Sequence, residues 1–165
     1  MNTSKDIQTG LFPVSYQIAL GTKEMPILGG ASLTLKLLVD TVNKSVSGVG
    51  HIFQPVSPPI NVVSQFTGEW SYMCTMKDCH ILVVAEGFDI SPLLVGGHPI
   101  EHKNAKLRMV MNEDWQSGVA NFSFFARGQW HEVEGARVEL INIDTEQSSK
   151  KLVEKAQEKK PTVEA

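Results

Sequence analysis

Three observations predict an all-β fold, an antiparallel meander of about seven or eight strands closed as a β-barrel or folded as a β-sandwich. The first is strict alternation. Phe66, Gly68, Trp70, Tyr72, Cys74 and Met76 interleave with Thr67, Glu69, Ser71, Met73, Thr75 and Lys77, and extended backbone puts nearly all the apolar and aromatic groups on one face. The second is recurrence, since similar segments run from about Val14 to Ile141 with turn residues between them. The third is length: 165 residues hold one β domain with a real core and are too few for two comfortable ones. The chain therefore divides into an N-terminal arm over 1–12, a β domain over 13–143 and a charged, flexible or weakly helical tail over 144–165.

The elements follow in order. A first strand spans Val14 to Leu20, and Gly21, Lys23, Pro26, Gly29 and Gly30 punctuate the loop behind it. A second spans Ala31 to Val39, where Leu33, Leu35, Leu37 and Val39 alternate with polar residues and Leu38 is the exception. A tight turn around Asn43 and Lys44 sends the chain back through Val46 to Gln54. Within that return strand Gly48 and Gly50 share a side, which suits a coiled strand or a close backbone approach.

Pro55, Pro58 and Pro59 cannot donate ladder hydrogen bonds, so they form a connection before a long strand from Asn61 to Met76. Lys77 and Asp78 are the expected two-residue hairpin loop. His80 to Phe88 follows, and its run Ile81, Leu82, Val83, Val84, Ala85 places apolar groups on both faces. Asp89 to Asn104 is the longest candidate loop, a common place for binding loops or lids.

Leu107 to Met111 is a further strand, and Asn112 to Gly118 a polar turn carrying Trp115 and shaped by Asp114. Val119 to Ala126 and Gln129 to Ile141 make a hairpin across Arg127 and Gly128. Pairing Ala126 with Gln129 puts Phe124 opposite His131 and Phe122 opposite Val133 on the core face. Past Gly135 the apolar set moves to Ala136, Val138 and Leu140, which strict alternation would turn outward. A one-residue bulge near Glu134 and Gly135 restores them to the core. The tail beyond Asp144 has only Leu152, Val153, Ala156 and Val163 as apolar material. Ion pairs along a surface helix there contribute only about 0.2 to 0.5 kcal/mol each, so fraying or disorder is expected.

Charge and composition exclude several classes. A net charge of −3 supplies no basic field for nucleic-acid phosphates. Residues 1–10 are polar and lack the pattern of a secretory signal, which favours the cytoplasm, and no apolar run reaches the roughly 18 residues of a spanning helix. Cys74 and Cys79 are therefore expected as reduced, ordinary thiols, and C-x4-C with His80 beside it lacks a second ligand pair for zinc. No metal and no cofactor is assigned.

The five histidines, His51, His80, His98, His102 and His131, are scattered. His98 and His102 fall in a Pro- and Gly-containing loop that supplies no helical geometry for a metal pair. No nucleophile elbow frames a serine, and Glu113 and Asp114 sit in a polar turn with nothing to separate their pKa values. Gly29 Gly30 and Gly96 Gly97 lack a phosphate-loop pattern. Catalytic residues are not assigned. Aromatic residues are more suggestive: Trp70, Tyr72, Trp115 and Trp130 offer flat faces, and Asn121, Ser123 and Glu132 lie on the side of Trp130 in the predicted strand pair. Ordinary core and rim packing is the competing account of the same rings.

The phrases TGLFPVSYQI from Thr9, KSVSGVGHI from Lys44, HILV from His80 and LRMVMNEDWQSGVANF from Leu107 resemble the bacterial family called domain of unknown function 1842, over most of residues 9–141. The resemblance implies a compact domain and transfers no activity.

The expected function is a noncatalytic binding domain for a small molecule or glycan, using Trp70, Tyr72, His98, Trp115, Asn121 and Trp130. The alternative is a self-associating structural or protein-interaction domain without a small ligand, with Leu82, Val84 and Val110 at the interface of a homo-oligomer.

Overall fold

The computed structural model describes residues 10–22, 24, 25, 27–89, 93–95, 98–100, 102–141 and 146–161. The alternating segments form β1 (Leu11–Ala19), β2 (Ser32–Asp40), β3 (Ser45–Gln54), β4 (Ile60–Cys74), β5 (Cys79–Asp89), β6 (Leu93–Val95), β7 (His98–Ile100), β8 (Lys103–Met111), β9 (Ser117–Ala126) and β10 (Gln129–Leu140). Helix α1 (Glu146–Gln157) follows. Eight strands close into an antiparallel barrel in the order β1-β10-β9-β8-β5-β4-β3-β2, while β6 and β7 pair as a separate two-stranded sheet. Apart from that inserted hairpin, each barrel strand pairs with its chain neighbour. The barrel closes where Tyr16 to Ala19 of β1 meet Leu140 to Arg137 of β10, which removes the exposed edges an open sheet would carry.

Alternation fills the interior. Phe12, Tyr16, Leu33, Leu35, Ile52, Phe66, Trp70, Ile81, Met109, Phe124 and Val138 are all buried in one core cluster. The glycine pair on β3 works as a close approach: a Cβ on Gly48 would lie 1.9 Å from the Lys36 carbonyl oxygen, and one on Gly50 would lie 2.4 Å from the Phe66 ring.

The β9–β10 hairpin turns at Arg127 and Gly128, both with positive φ, as a two-residue loop requires. Ala126 pairs with Gln129, Phe124 with His131 and Phe122 with Val133, then the register shifts so that Ala136 pairs with Ala120. Glu134 and Gly135 together oppose Asn121, Gly135 has φ 69°, and the expected bulge is in place.

Four expectations need correction. The β4–β5 chain reversal falls on Met76 and Lys77 rather than Lys77 and Asp78, because Thr75 N–H donates to the Asp78 carbonyl (2.7 Å) while Thr75 Oγ1 accepts from Asp78 N–H (3.1 Å). Cys74 therefore stands directly opposite Cys79, and the two are joined by a disulfide rather than free as thiols. The loop from Asp89 to Asn104 is shorter than expected: it contains the β6–β7 hairpin, and β8 begins at Lys103, four residues before Leu107. There Asn104 is buried, accepting from Ser64 Oγ (2.5 Å) and donating to the Val63 carbonyl (3.2 Å), so a polar residue enters a strand without an orphaned group. Finally, the tail holds α1 against the barrel, with Leu152 and Ala156 fully buried in the core cluster. Three turns of polar helix do not persist unaided; burial of those two side chains supplies the anchoring.

Candidate functional site

The bulge in β10 shapes the outer wall. Gly135 N–H donates to Asn121 Oδ1 (2.7 Å), which fixes the Asn121 side chain against the displaced backbone. Beside it a groove of about 290 Å3 runs over the outer faces of β5, β8, β9 and β10, with Val84, Arg108, Asn121, Ser123, Glu132 and Glu134 among its lining. Register sets its order. Val84 faces Arg108 and Arg108 faces Asn121 in one row, and Glu86, Lys106, Ser123 and Glu132 stand side by side in the next.

Charge is thereby sorted by strand, with Lys106 and Arg108 on β8, Glu132 and Glu134 on β10, and the neutral polar Asn121 and Ser123 of β9 between them. Among the described residues Arg108, Glu132 and Glu134 have no ion-pair partner, whereas Glu86 is paired with Lys103 (2.9 Å). Trp130 lies at the edge of the same face, 42% exposed. Lys106 Nζ stands 5.0 Å from its ring centroid and the Phe125 ring meets it edge-on at 5.7 Å. An apolar floor, hydrogen-bonding groups, both charge signs and an aromatic rim can hold a small polar molecule.

The other aromatic residues gather at the opposite end of the barrel, inside it. Trp70 and Trp115 are both 1% exposed and meet edge to face at 5.3 Å, and Tyr72 meets Trp70 at 6.1 Å. Trp70 Nε1–H donates to the Asp40 carbonyl (2.9 Å), and the Tyr16 hydroxyl donates to the Trp115 carbonyl (2.8 Å). Trp115 Nε1 and the Tyr72 hydroxyl are buried without a hydrogen-bond partner. Burial, reinforced by the Glu113 charge, pushes the Tyr72 hydroxyl up to about 12. Burial pushes Tyr16 up further, with the Asp114 charge adding to it. Lys160 reaches Glu113 (2.8 Å) and ties the end of α1 to this turn.

The six residues expected to bind a ligand thus separate. Asn121 lines the outer groove and Trp130 stands on its face; Trp70, Tyr72 and Trp115 gather at the other end of the barrel, where Trp70 and Trp115 are buried and Tyr72 is half-buried; and the His98 side chain lies outside the described residues. Leu82, Val84 and Val110 lie on the outer wall, where Leu82 pairs with Val110 and Val110 with Val119. Val84 and Val119 are 43% and 54% exposed. Lys106, Arg108 and Glu134 line the groove as well, beyond the residues expected there. Alternation puts Lys106 and Arg108 on the face of Val110, but their place beside Asn121 and Ser123 depends on the pairing of β8 with β9, and Glu134 needs the bulge to be followed outward as well as inward. Among the described residues no group of three or more His, Cys, Asp or Glu is placed to hold a metal ion, and no helix is long and apolar enough to cross a membrane.

Fold and site together define a closed eight-stranded antiparallel barrel with a packed interior and a polar groove on its outer wall. The family model for the domain of unknown function DUF1842 matches residues 9–130, and the chain belongs to that family. The match ends before Glu132, the bulge and α1, so the acidic wall of the groove lies beyond the matched stretch. No curated protein matches the chain.

Proposed function

We propose that this chain is a noncatalytic binding domain that takes a small polar molecule or glycan in the groove over β5, β8, β9 and β10. The observation that carries this reading is the bulge-built groove itself, in which Arg108, Asn121, Ser123, Glu132 and Glu134 converge beside an apolar floor while Trp130 stands on the same face. Sugar hydroxyls pair with such carboxylates and amides, and an exposed indole gives a ring face to stack on. The test is amide chemical-shift mapping of labelled protein against a panel of oligosaccharides and polar metabolites. Saturable shifts confined to β8, β9 and the bulge, lost in Asn121→Ala, support the reading; a panel that moves none of these amides overturns it.

Self-association is the second reading, favoured by the exposed Val84 and Val119 flanking the half-buried Leu82 and Val110 on one wall. Light scattering coupled to size exclusion distinguishes it. A discrete oligomer that Val84→Lys dissociates while the fold is retained supports an interface there, and an 18.2 kDa species at all concentrations removes it.

A further inference from the structure

We propose that Cys74 and Cys79 form a reversible thiol–disulfide exchange site at the tip of the β4–β5 hairpin, one that takes a dithiol reductant. Register brings the pair together: Thr75 and Asp78 are the hydrogen-bonded pair that closes the turn, so the next pair outward is non-hydrogen-bonded, the position where cross-strand side chains approach most closely. The Cα atoms are 4.1 Å apart. The two sulfurs are neighbours whether or not they are bonded.

The bond adds little as a staple. Only four residues separate the cysteines, so the loop it closes is short and removes little entropy from the unfolded chain. The hairpin is already held by continuous β4–β5 pairing from Ser64 and Asp89 to the tip, and by the Thr75 contacts to Lys77 and Asp78. Access is open. Both cysteines are half-buried, Thr75 to Asp78 are all exposed, and Met76 is 99% exposed. The bond can therefore be made and broken from solvent while the ladder beneath it stays closed.

The exchange balances with one dithiol. Its thiolate attacks one cysteine sulfur, the Cys74–Cys79 bond breaks, and the other cysteine leaves with the electron pair and takes a proton from water. The second thiol of the reagent, deprotonated in turn, attacks the resulting mixed disulfide and releases the first cysteine. The net change is two protein thiols and one oxidised, cyclic reagent. The reverse step takes glutathione disulfide as oxidant and releases two glutathione thiols. By alternation Cys74 projects to the same side of β4 as Tyr72 and Trp70, so the exchange occurs at the barrel end where the aromatic residues gather.

The full chain is incubated natively with dithiothreitol, alkylated and weighed, with circular dichroism recorded before and after. The expected result is no alkylation without reductant, two alkyl groups added with it, an unchanged β spectrum, and full return to the unalkylatable form in glutathione disulfide. Resistance to dithiothreitol until denaturant is added overturns the proposal, as does loss of the β spectrum on reduction, because either makes the bond a structural staple. Mixed disulfides with glutathione in place of an internal bond on reoxidation overturn it from the other side.

Discussion

The Tyr16 hydroxyl donates a hydrogen bond of 2.8 Å to the main-chain carbonyl of Trp115, 99 residues further along the chain. The contact joins the first barrel strand to the β8–β9 turn across the aromatic end of the core, at a residue whose own backbone has φ 61°. A bulky aromatic side chain in that region is uncommon, because Cβ crowds the following carbonyl. Burial of the indole and the Tyr16 bond together hold the turn in this form. Tyr16→Phe keeps the ring and strands the carbonyl, so a loss of about 1 to 3 kcal/mol is expected. Urea denaturation measures it, and a variant within experimental error of the parent removes the hydrogen bond as a stabilising contact.

Tyr16 and Tyr72 are the two tyrosines of the chain, and burial raises both. Their shared direction gives a pH dependence with a definite sign. A phenol held neutral in the fold keeps its proton where the unfolded chain, titrating near 10, has lost it, so the folded state binds more protons and stability falls as pH rises. This contribution is fully present below about pH 10 and is lost as the pH climbs toward the folded values, about 12 for Tyr72 and higher for Tyr16. Phenolate absorbance at 295 nm checks it. At pH 11 the folded chain should show little phenolate and the guanidinium-unfolded chain most of its full signal; matching signals would remove the shift.

The β9–β10 hairpin shows how far alternation can carry a reading. Arg127 and Gly128 were legible as a two-residue turn, and the change of phase between Val133 and Ala136 required an extra residue where a glycine could take it. Cys74 and Cys79 show where it fails. The reversal falls one residue earlier than alternation predicts because the side-chain bonds of Thr75, which select Met76 and Lys77 as the loop, leave no periodic trace. The polar neighbours of Trp115 predict a polar turn, yet the turn folds the indole inward. The groove was half legible. Asn121, Ser123 and Glu132 shared a face with Trp130 by parity alone, while Arg108 and Lys106 joined them only through the pairing of β8 with β9, a choice of neighbour that parity does not make.

Gly68 of β4 stands opposite Ala85 of β5, and an added Cβ would stand 2.0 Å from the Val84 carbonyl oxygen and 2.6 Å from the Ala85 Cα. Both atoms belong to backbone, so no rotamer change relieves the contact. Gly68→Ala is therefore expected to cost about 3 kcal/mol or more, at or beyond the usual range for overpacking. Gly128→Ala is the useful contrast: its Cβ meets nothing within 4 Å, and only the positive φ of 77° resists it, a cost of about 1 kcal/mol. Thermal unfolding of the two variants should separate them clearly. Equal midpoints would mean that the β4–β5 approach is looser than 2.0 Å implies.

Leu152, Ala156 and Lys160 follow one another at intervals of four from α1 into the turn after it, and all three meet the barrel side: the first two are fully buried and the third pairs with Glu113. Their energies differ by kind. Leu152→Ala opens a cavity between helix and barrel and is expected to cost about 2 to 5 kcal/mol. The Lys160–Glu113 pair is roughly one-third exposed on both sides, so screening limits Lys160→Ala to less than about 1 kcal/mol. Denaturation followed by tryptophan fluorescence, which reads Trp70 and Trp115 in the same core, and by far-ultraviolet dichroism, which reads the helix, should give coincident transitions shifted strongly in Leu152→Ala and slightly in Lys160→Ala. A fluorescence midpoint that ignores Leu152→Ala while the helical signal disappears would separate α1 from the cooperative unit of the barrel.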